Sequence, residues 1–154
     1  MMKKREITEA EAILKLEQYC GFQERCLADV RTRLYSLGVT GVSAEKILLH
    51  LQEEGFLDEE RFARTFARSK FRQNHWGKVR ISMEMKKRRI PARLIALGLE
   101  EIEETAYSEK IQSLYQQKLA SLPPGEPDSK YKAIQFLIQK GYEMEAIKEQ
   151  VQLK

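Results

Sequence analysis

The sequence predicts an all-α protein built as three tandem three-helix repeats, residues 1–55, 56–98 and 99–154, in an elongated array whose curvature is left open. Three observations lead there. Apolar residues recur at helical intervals over most of the 154 residues. Glycine and proline are sparse, at 8 and 4, which disfavours a loop-rich sandwich. A ten-residue apolar pattern also returns twice, at offsets of 51 and 52 residues. Stacked repeats need such a pattern, because each unit buries a face against its neighbour.

The elements follow in order. Thr8 and Glu11 have capping-box spacing, with Ile7 and Ala12 placed as a staple, so a first helix starts near Glu9 and ends at Cys20-Gly21. A second covers Glu24 to Leu37, with Leu27, Val30 and Leu34 on one side and Gly38 as its stop. Ser43 is the expected cap of a third, which turns Ile47, Leu48 and Leu51 inward until Gly55. Asp58 caps the fourth; Leu57 and Phe62 have staple spacing, and Glu59 and Glu60 sit where carboxylates favour the helix dipole.

The segment 78–88 alternates like a strand at Val79, Ile81, Met83 and Met85. Its Glu, Lys, Arg and Met content nevertheless favours a fifth helix. Pro91 suits the first turn of a short sixth helix ending near Leu97-Gly98, and a seventh runs from about Glu100 to Leu119. The stretch SLPPGEPDS, 121–129, is the clearest break in the chain. Two last helices follow near 130–140 and 143–151, separated by Gly141.

The repeat is read by laying VRTRLYSLGV (30–39), ISMEMKKRRI (81–90) and AIQFLIQKGY (133–142) over one another. Val30, Ile81 and Ala133 share a column, as do Leu34, Met85 and Leu137, and then Val39, Ile90 and Tyr142.

Composition narrows the function. The opening MMKKREITEAEAIL lacks the apolar core of an export leader, and no window approaches 18 uninterrupted apolar residues, so a cytoplasmic protein is expected. Cys20 and Cys26 are too few for a disulfide framework or a zinc site and are expected to be reduced. His50 lies among leucines with no ligand at useful spacing, and no phosphate loop or nucleophile elbow occurs. No catalytic residue, cofactor or metal is expected.

Charge is distributed unevenly. Between Arg61 and Arg93 stand twelve Lys or Arg and one acid, Glu84, for a net +11, whereas the remainder carries 15 basic and 22 acidic residues. A concentrated positive segment implies a polyanionic or acidic partner. On the fourth helix Phe62, Ala63, Phe66 and Ala67 share one side; Arg61, Arg64, Arg68 and Arg72 lie within about 80° on the other at 100° per residue. Lys70, Lys78 and Arg80 extend the set, and Lys86, Lys87 and Arg88 close it where cations complement the dipole. These ten residues are the candidate polyanion- or filament-binding set. Trp76, between the two helices, is read first as a hydrophobic hinge and alternatively as a stacking platform for an unpaired base.

The run GFLDEERFARTFARSKFRQNHWGKVRI followed by EMKKRRI resembles the central region of the RecX family, regulators of the RecA recombinase. The likeness rests on Phe56-Leu57-Asp58, Arg61-Phe62-Ala63, Ser69-Lys70-Phe71-Arg72, Trp76-Gly77 and Ile81-Ser82-Met83-Glu84-Met85-Lys86. It is close from about Gly55 to Ile90 and agrees in spacing outside that stretch. Two departures are Arg89, where the family usually has glycine, and Met85 for leucine. The resemblance implies a non-catalytic protein that lies along the groove of a RecA–DNA filament and restrains filament growth, strand exchange and co-protease activity; separately, a monomer is expected. Affinity for single- or double-stranded DNA is implied too. A DNA-binding module acting without RecA is the rival reading, and an enzyme acting on nucleic acid a third.

Overall fold

The computed structural model describes residues 6–151, which form nine helices and no strand. They are α1 (Glu9–Phe22), α2 (Leu27–Ser36), α3 (Gly41–Glu53), α4 (Glu59–Asn74), α5 (Lys78–Lys87), α6 (Ala92–Leu99), α7 (Glu104–Ser121), α8 (Ser129–Lys140) and α9 (Met144–Gln150). The ambiguous fifth segment is helical. Among these residues no helix is long and apolar enough to cross a membrane. The first five residues, part of the opening stretch expected to lack an export leader, lie outside the described range.

The chain divides into two compact units, Met1–Phe62 with Arg88–Ile90, and Ala63–Lys87 with Pro91–Lys154. In the first, α1, α2 and α3 pack on one another. Leu16, Val30, Leu34, Ile47 and Leu51 are fully buried between them. Thr8 accepts the Glu11 N–H at 3.1 Å as a side-chain cap, and α1 runs through Gly21 to Phe22. Helix α2 starts three residues later than its periodicity predicts, because two carboxylates cap its first turn. Asp29 accepts the Cys26 N–H at 3.2 Å, and Glu59 accepts the Leu27 N–H at 3.1 Å. Glu59 is 32 residues away, so local sequence gives no sign of this cap. Helix α3 begins at Gly41 after an extended Thr40, which leaves Ser43 inside the first turn and not ahead of it. Asp58 does cap α4, accepting the Arg61 N–H at 3.0 Å.

In the second unit α5 packs on α6, and α7 packs on α8 and α9. Phe71, Tyr107 and Tyr142 form a tilted aromatic stack, with ring centroids 5.9 and 5.1 Å apart. Gly98 is not the end of α6 but a buried helical position. A Cβ there would lie 2.7 Å from the Ala63 carbonyl oxygen, so α4 and α6 approach at a point only glycine permits. Helix α7 begins at Glu104 and not near Glu100, since Ile102 is buried in the preceding turn and Glu101 faces α4.

The aligned columns hold in burial. Val30, Ile81 and Ala133, and Leu34, Met85 and Leu137, are all wholly excluded from solvent. The ninth column holds three left-handed residues, Gly38 (φ 80°), Arg89 (φ 59°) and Gly141 (φ 101°). Each pattern therefore ends its helix by the same backbone reversal, although only two of the three carry glycine.

Candidate polyanion-binding surface

Helix α4 has the two faces its sequence predicts. Phe62, Ala63, Phe66, Ala67 and Phe71 are buried. Of the opposite row, Arg61 belongs to the first unit, where its Nε meets the Glu24 carboxylate at 2.6 Å and its Nη2 reaches the Gly55 carbonyl at 3.1 Å. Arg64 and Arg68 belong to the second, and both turn to Glu101. Arg64 Nη1 lies 3.2 Å from one carboxylate oxygen and 3.3 Å from the Leu97 carbonyl; Arg68 Nη1 lies 3.5 Å from the other oxygen. One half-buried carboxylate thus holds two guanidinium groups and ties α4 to the α6–α7 turn. Arg72 is exposed.

A second group of cations gathers around the turn His75-Trp76-Gly77. Its backbone is fixed from several directions: the Trp76 N–H donates to the Lys70 carbonyl at 3.2 Å, and the Gly77 N–H to the Lys140 carbonyl at 2.8 Å. The Tyr142 hydroxyl donates to the His75 carbonyl at 2.8 Å. The Lys78 N–H, at the start of α5, donates to the Tyr107 hydroxyl at 2.9 Å, and that hydroxyl donates to Glu143. On this frame Lys70 Nζ and the Arg80 guanidinium lie 5.2 and 4.2 Å from the Trp76 ring centroid, and Lys78 Nζ lies 4.7 Å from that of Tyr107. Trp76 is half-buried with cations against its ring, so it is neither a fully enclosed hinge nor a bare stacking face.

Two further lysines reach the turn from outside the basic segment. Lys110 Nζ on α7 lies 3.0 Å from His75 Nδ1, and Lys140 Nζ on α8 lies 3.4 Å from the Asn74 carbonyl oxygen. Sequence reasoning missed both, because they sit 35 and 66 residues from the groups they meet. The faint available signal was Gly141, whose φ of 101° marks the reversal that brings Lys140 back. At the far end of α5, Lys87 pairs with Glu84 at 3.1 Å, Lys86 is exposed, and Arg88 falls in the first unit.

The local electrostatics follow. Burial, then the charges of Lys110 and Lys140, lower the His75 pKa from its ordinary value. Burial, then the bond to Glu143, holds the Tyr107 hydroxyl far above the phenol range; burial and the Glu143 charge do the same to Tyr142. Cys20 and Cys26 are buried free thiols, the latter raised by burial to about 11. The arrangement offers ammonium, guanidinium and imidazole donors to an anion.

Residues 58–99 match the profile described as the RecX second three-helix domain, and 105–151 match the RecX third three-helix domain. Among similar curated proteins is the regulatory protein RecX of Chlorobaculum tepidum, 29% identical over 126 residues, covering 82% of this chain and 77% of that one. That of Pseudomonas entomophila is 29% identical over 126 residues, covering 81% and 79%. The crystal structure of RecX from Lactobacillus salivarius superimposes with a TM-score of 0.85 at 18% identity, over 94% of each chain. A second crystal structure, of a regulatory protein RecX, gives 0.80 at 20% identity over 97% and 81%. These two share the fold.

Proposed function

The chain belongs to the RecX family, and from that premise we propose that it is a non-catalytic, monomeric regulator that binds the RecA–DNA filament and mainly inhibits its recombinase, ATPase and co-protease activities. One observation carries the reading. The matched segment 58–99 nearly coincides with the window of net +11, and the relatives sharing it are named regulatory proteins. The partition into repeats 1–55, 56–98 and 99–154 is kept as part of the proposal.

Within the candidate set, Arg61, Arg64 and Arg68 have intramolecular carboxylates. Lys70, Arg72, Lys78, Arg80 and Lys86 have none within ion-pair distance among the described residues, so in this reading they present the charge. Lys87 pairs with Glu84, and Arg88 belongs to the first unit.

The test is RecA ATP hydrolysis on single-stranded DNA at two salt concentrations. Substoichiometric protein depresses turnover if the proposal holds, and no effect at stoichiometric excess removes it. The charge window also favours a second reading, a sequence-independent DNA-binding module acting alone. That reading predicts tight binding to naked DNA, with a log–log salt slope of about −0.7 per phosphate contact on single strands.

A further inference from the structure

We infer that the turn His75-Trp76-Gly77, with Lys110 and Lys140, forms a binding site for the phosphate backbone of single-stranded nucleic acid. The inference deepens the filament reading, on which the choice of polyanion rests, and adds to the turn two lysines from outside the basic segment, Lys110 and Lys140.

The first argument is charge without a counter-charge. Lys110 and Lys140 come from α7 and α8 to a three-residue turn, and Lys70 and Arg80 stand against its tryptophan. The groups whose charge reaches the His75 ring are the two lysines. A carboxylate of this neighbourhood, Glu143, accepts the Tyr107 hydroxyl. Gathering cations in this way opposes folding, and a bound anion would offset that repulsion.

The second argument is donor geometry. An ammonium can only donate, so His75 Nδ1 accepts from Lys110 and the imidazole proton sits on Nε2. The turn therefore offers one imidazole N–H beside two ammonium groups. Its backbone is fixed by the bonds to Lys140 and Tyr142, so the donors are preorganised. Lysines act as point charges that meet phosphate oxygens in any orientation. Cations flanking an aromatic ring are the common make-up of single-strand binding surfaces.

Trp76 is the only tryptophan of the chain, so its fluorescence reports on the site directly. Oligo(dT) is titrated into the full-length protein without recombinase, and quenching is followed at several salt concentrations. Wild type is quenched. Lys110→Gln combined with Lys140→Gln weakens binding at least tenfold at low salt and flattens the log–log salt slope by about 1.4, two single-strand phosphate contacts. Lys15→Gln with Lys46→Gln removes the same charge from the first unit and leaves affinity within about twofold. Thermal melting of both double variants establishes that each is folded; should the glutamine pair melt early, Lys→Met at the same positions replaces it. Unchanged affinity in the Lys110/Lys140 variant overturns the site. Displacement of the oligonucleotide by poly-glutamate at equal charge overturns the nucleic-acid assignment in favour of an acidic protein surface. Because no recombinase is present, failure of the regulatory reading registers only in the ATPase assay.

Discussion

Gly77 and Gly141 meet backbone to backbone. The Gly77 N–H donates to the Lys140 carbonyl at 2.8 Å, and the Val79 N–H donates to the Gly141 carbonyl at 2.9 Å. A Cβ on Gly77 would overlap the Gly141 carbonyl, and one on Gly141 would overlap Arg80. This contact joins the start of α5 to the α8–α9 turn and sets Lys140 beside Asn74. Gly77→Ala is expected to cost about 1–3 kcal/mol by overpacking, and Gly141→Ala more, since its φ of 101° is unfavourable for any Cβ. At this chain length each kcal/mol lowers Tm by about 2–4 °C, so calorimetry checks both.

Arg89 stands at φ 59° in the column where Gly38 and Gly141 hold the same reversal. A left-handed non-glycine residue costs about 1–2 kcal/mol, partly offset by the greater entropy of an unfolded glycine. Arg89→Gly is therefore expected to stabilise by about 0.5–1 kcal/mol. Urea denaturation measures the gain, and Arg89→Lys, which keeps the strained Cβ, should show none.

Glu101 binds Arg64 and Arg68 from a half-buried position. Glu101→Gln should cost about 1 kcal/mol. Arg64→Glu should cost more, because it sets like charges together beside Glu101. Reversing the charge of the α4 arginines therefore changes stability in its own right. A double-mutant cycle over Arg64 and Glu101, read by denaturation, separates the pair's coupling from simple loss of charge.

His75 links stability to pH. Its folded pKa lies below its unfolded value, so the native state resists protonation. The stability present above pH 6.5 is lost as pH falls below that unfolded value toward the folded one. His75→Asn keeps a side chain that tolerates φ 58°. Comparing urea midpoints at pH 7.5 and 5.5, the variant should lose less stability than wild type; an equal loss would assign the effect to other groups.

Much of this architecture is legible in the sequence, for identifiable reasons. Caps that act over three residues, at Thr8–Glu11 and Asp58–Arg61, leave a local mark and appear as expected. So do the first two apolar columns, whose members are fully buried. Long-range features leave none. Glu59 caps α2 from 32 residues away, Glu101 draws in Arg64 across 37, and Lys110 reaches His75 across 35. Gly98 has the residue type of a helix stop but is a crossing point, because a glycine required for close approach looks the same in sequence as one required for a turn. The basic segment is visible as composition; which of its cations already have carboxylates depends on the packing of α4 against the α6–α7 turn.

The central claim is that this chain recognises a recombinase filament in preference to bare nucleic acid. Fluorescence anisotropy of the labelled protein, titrated with preformed RecA filaments on single-stranded DNA and with the same DNA alone at equal salt, tests it most directly. Markedly tighter binding to the filament is expected, with a weaker, salt-sensitive affinity for the free strand. Equal or tighter binding to the free strand would contradict it.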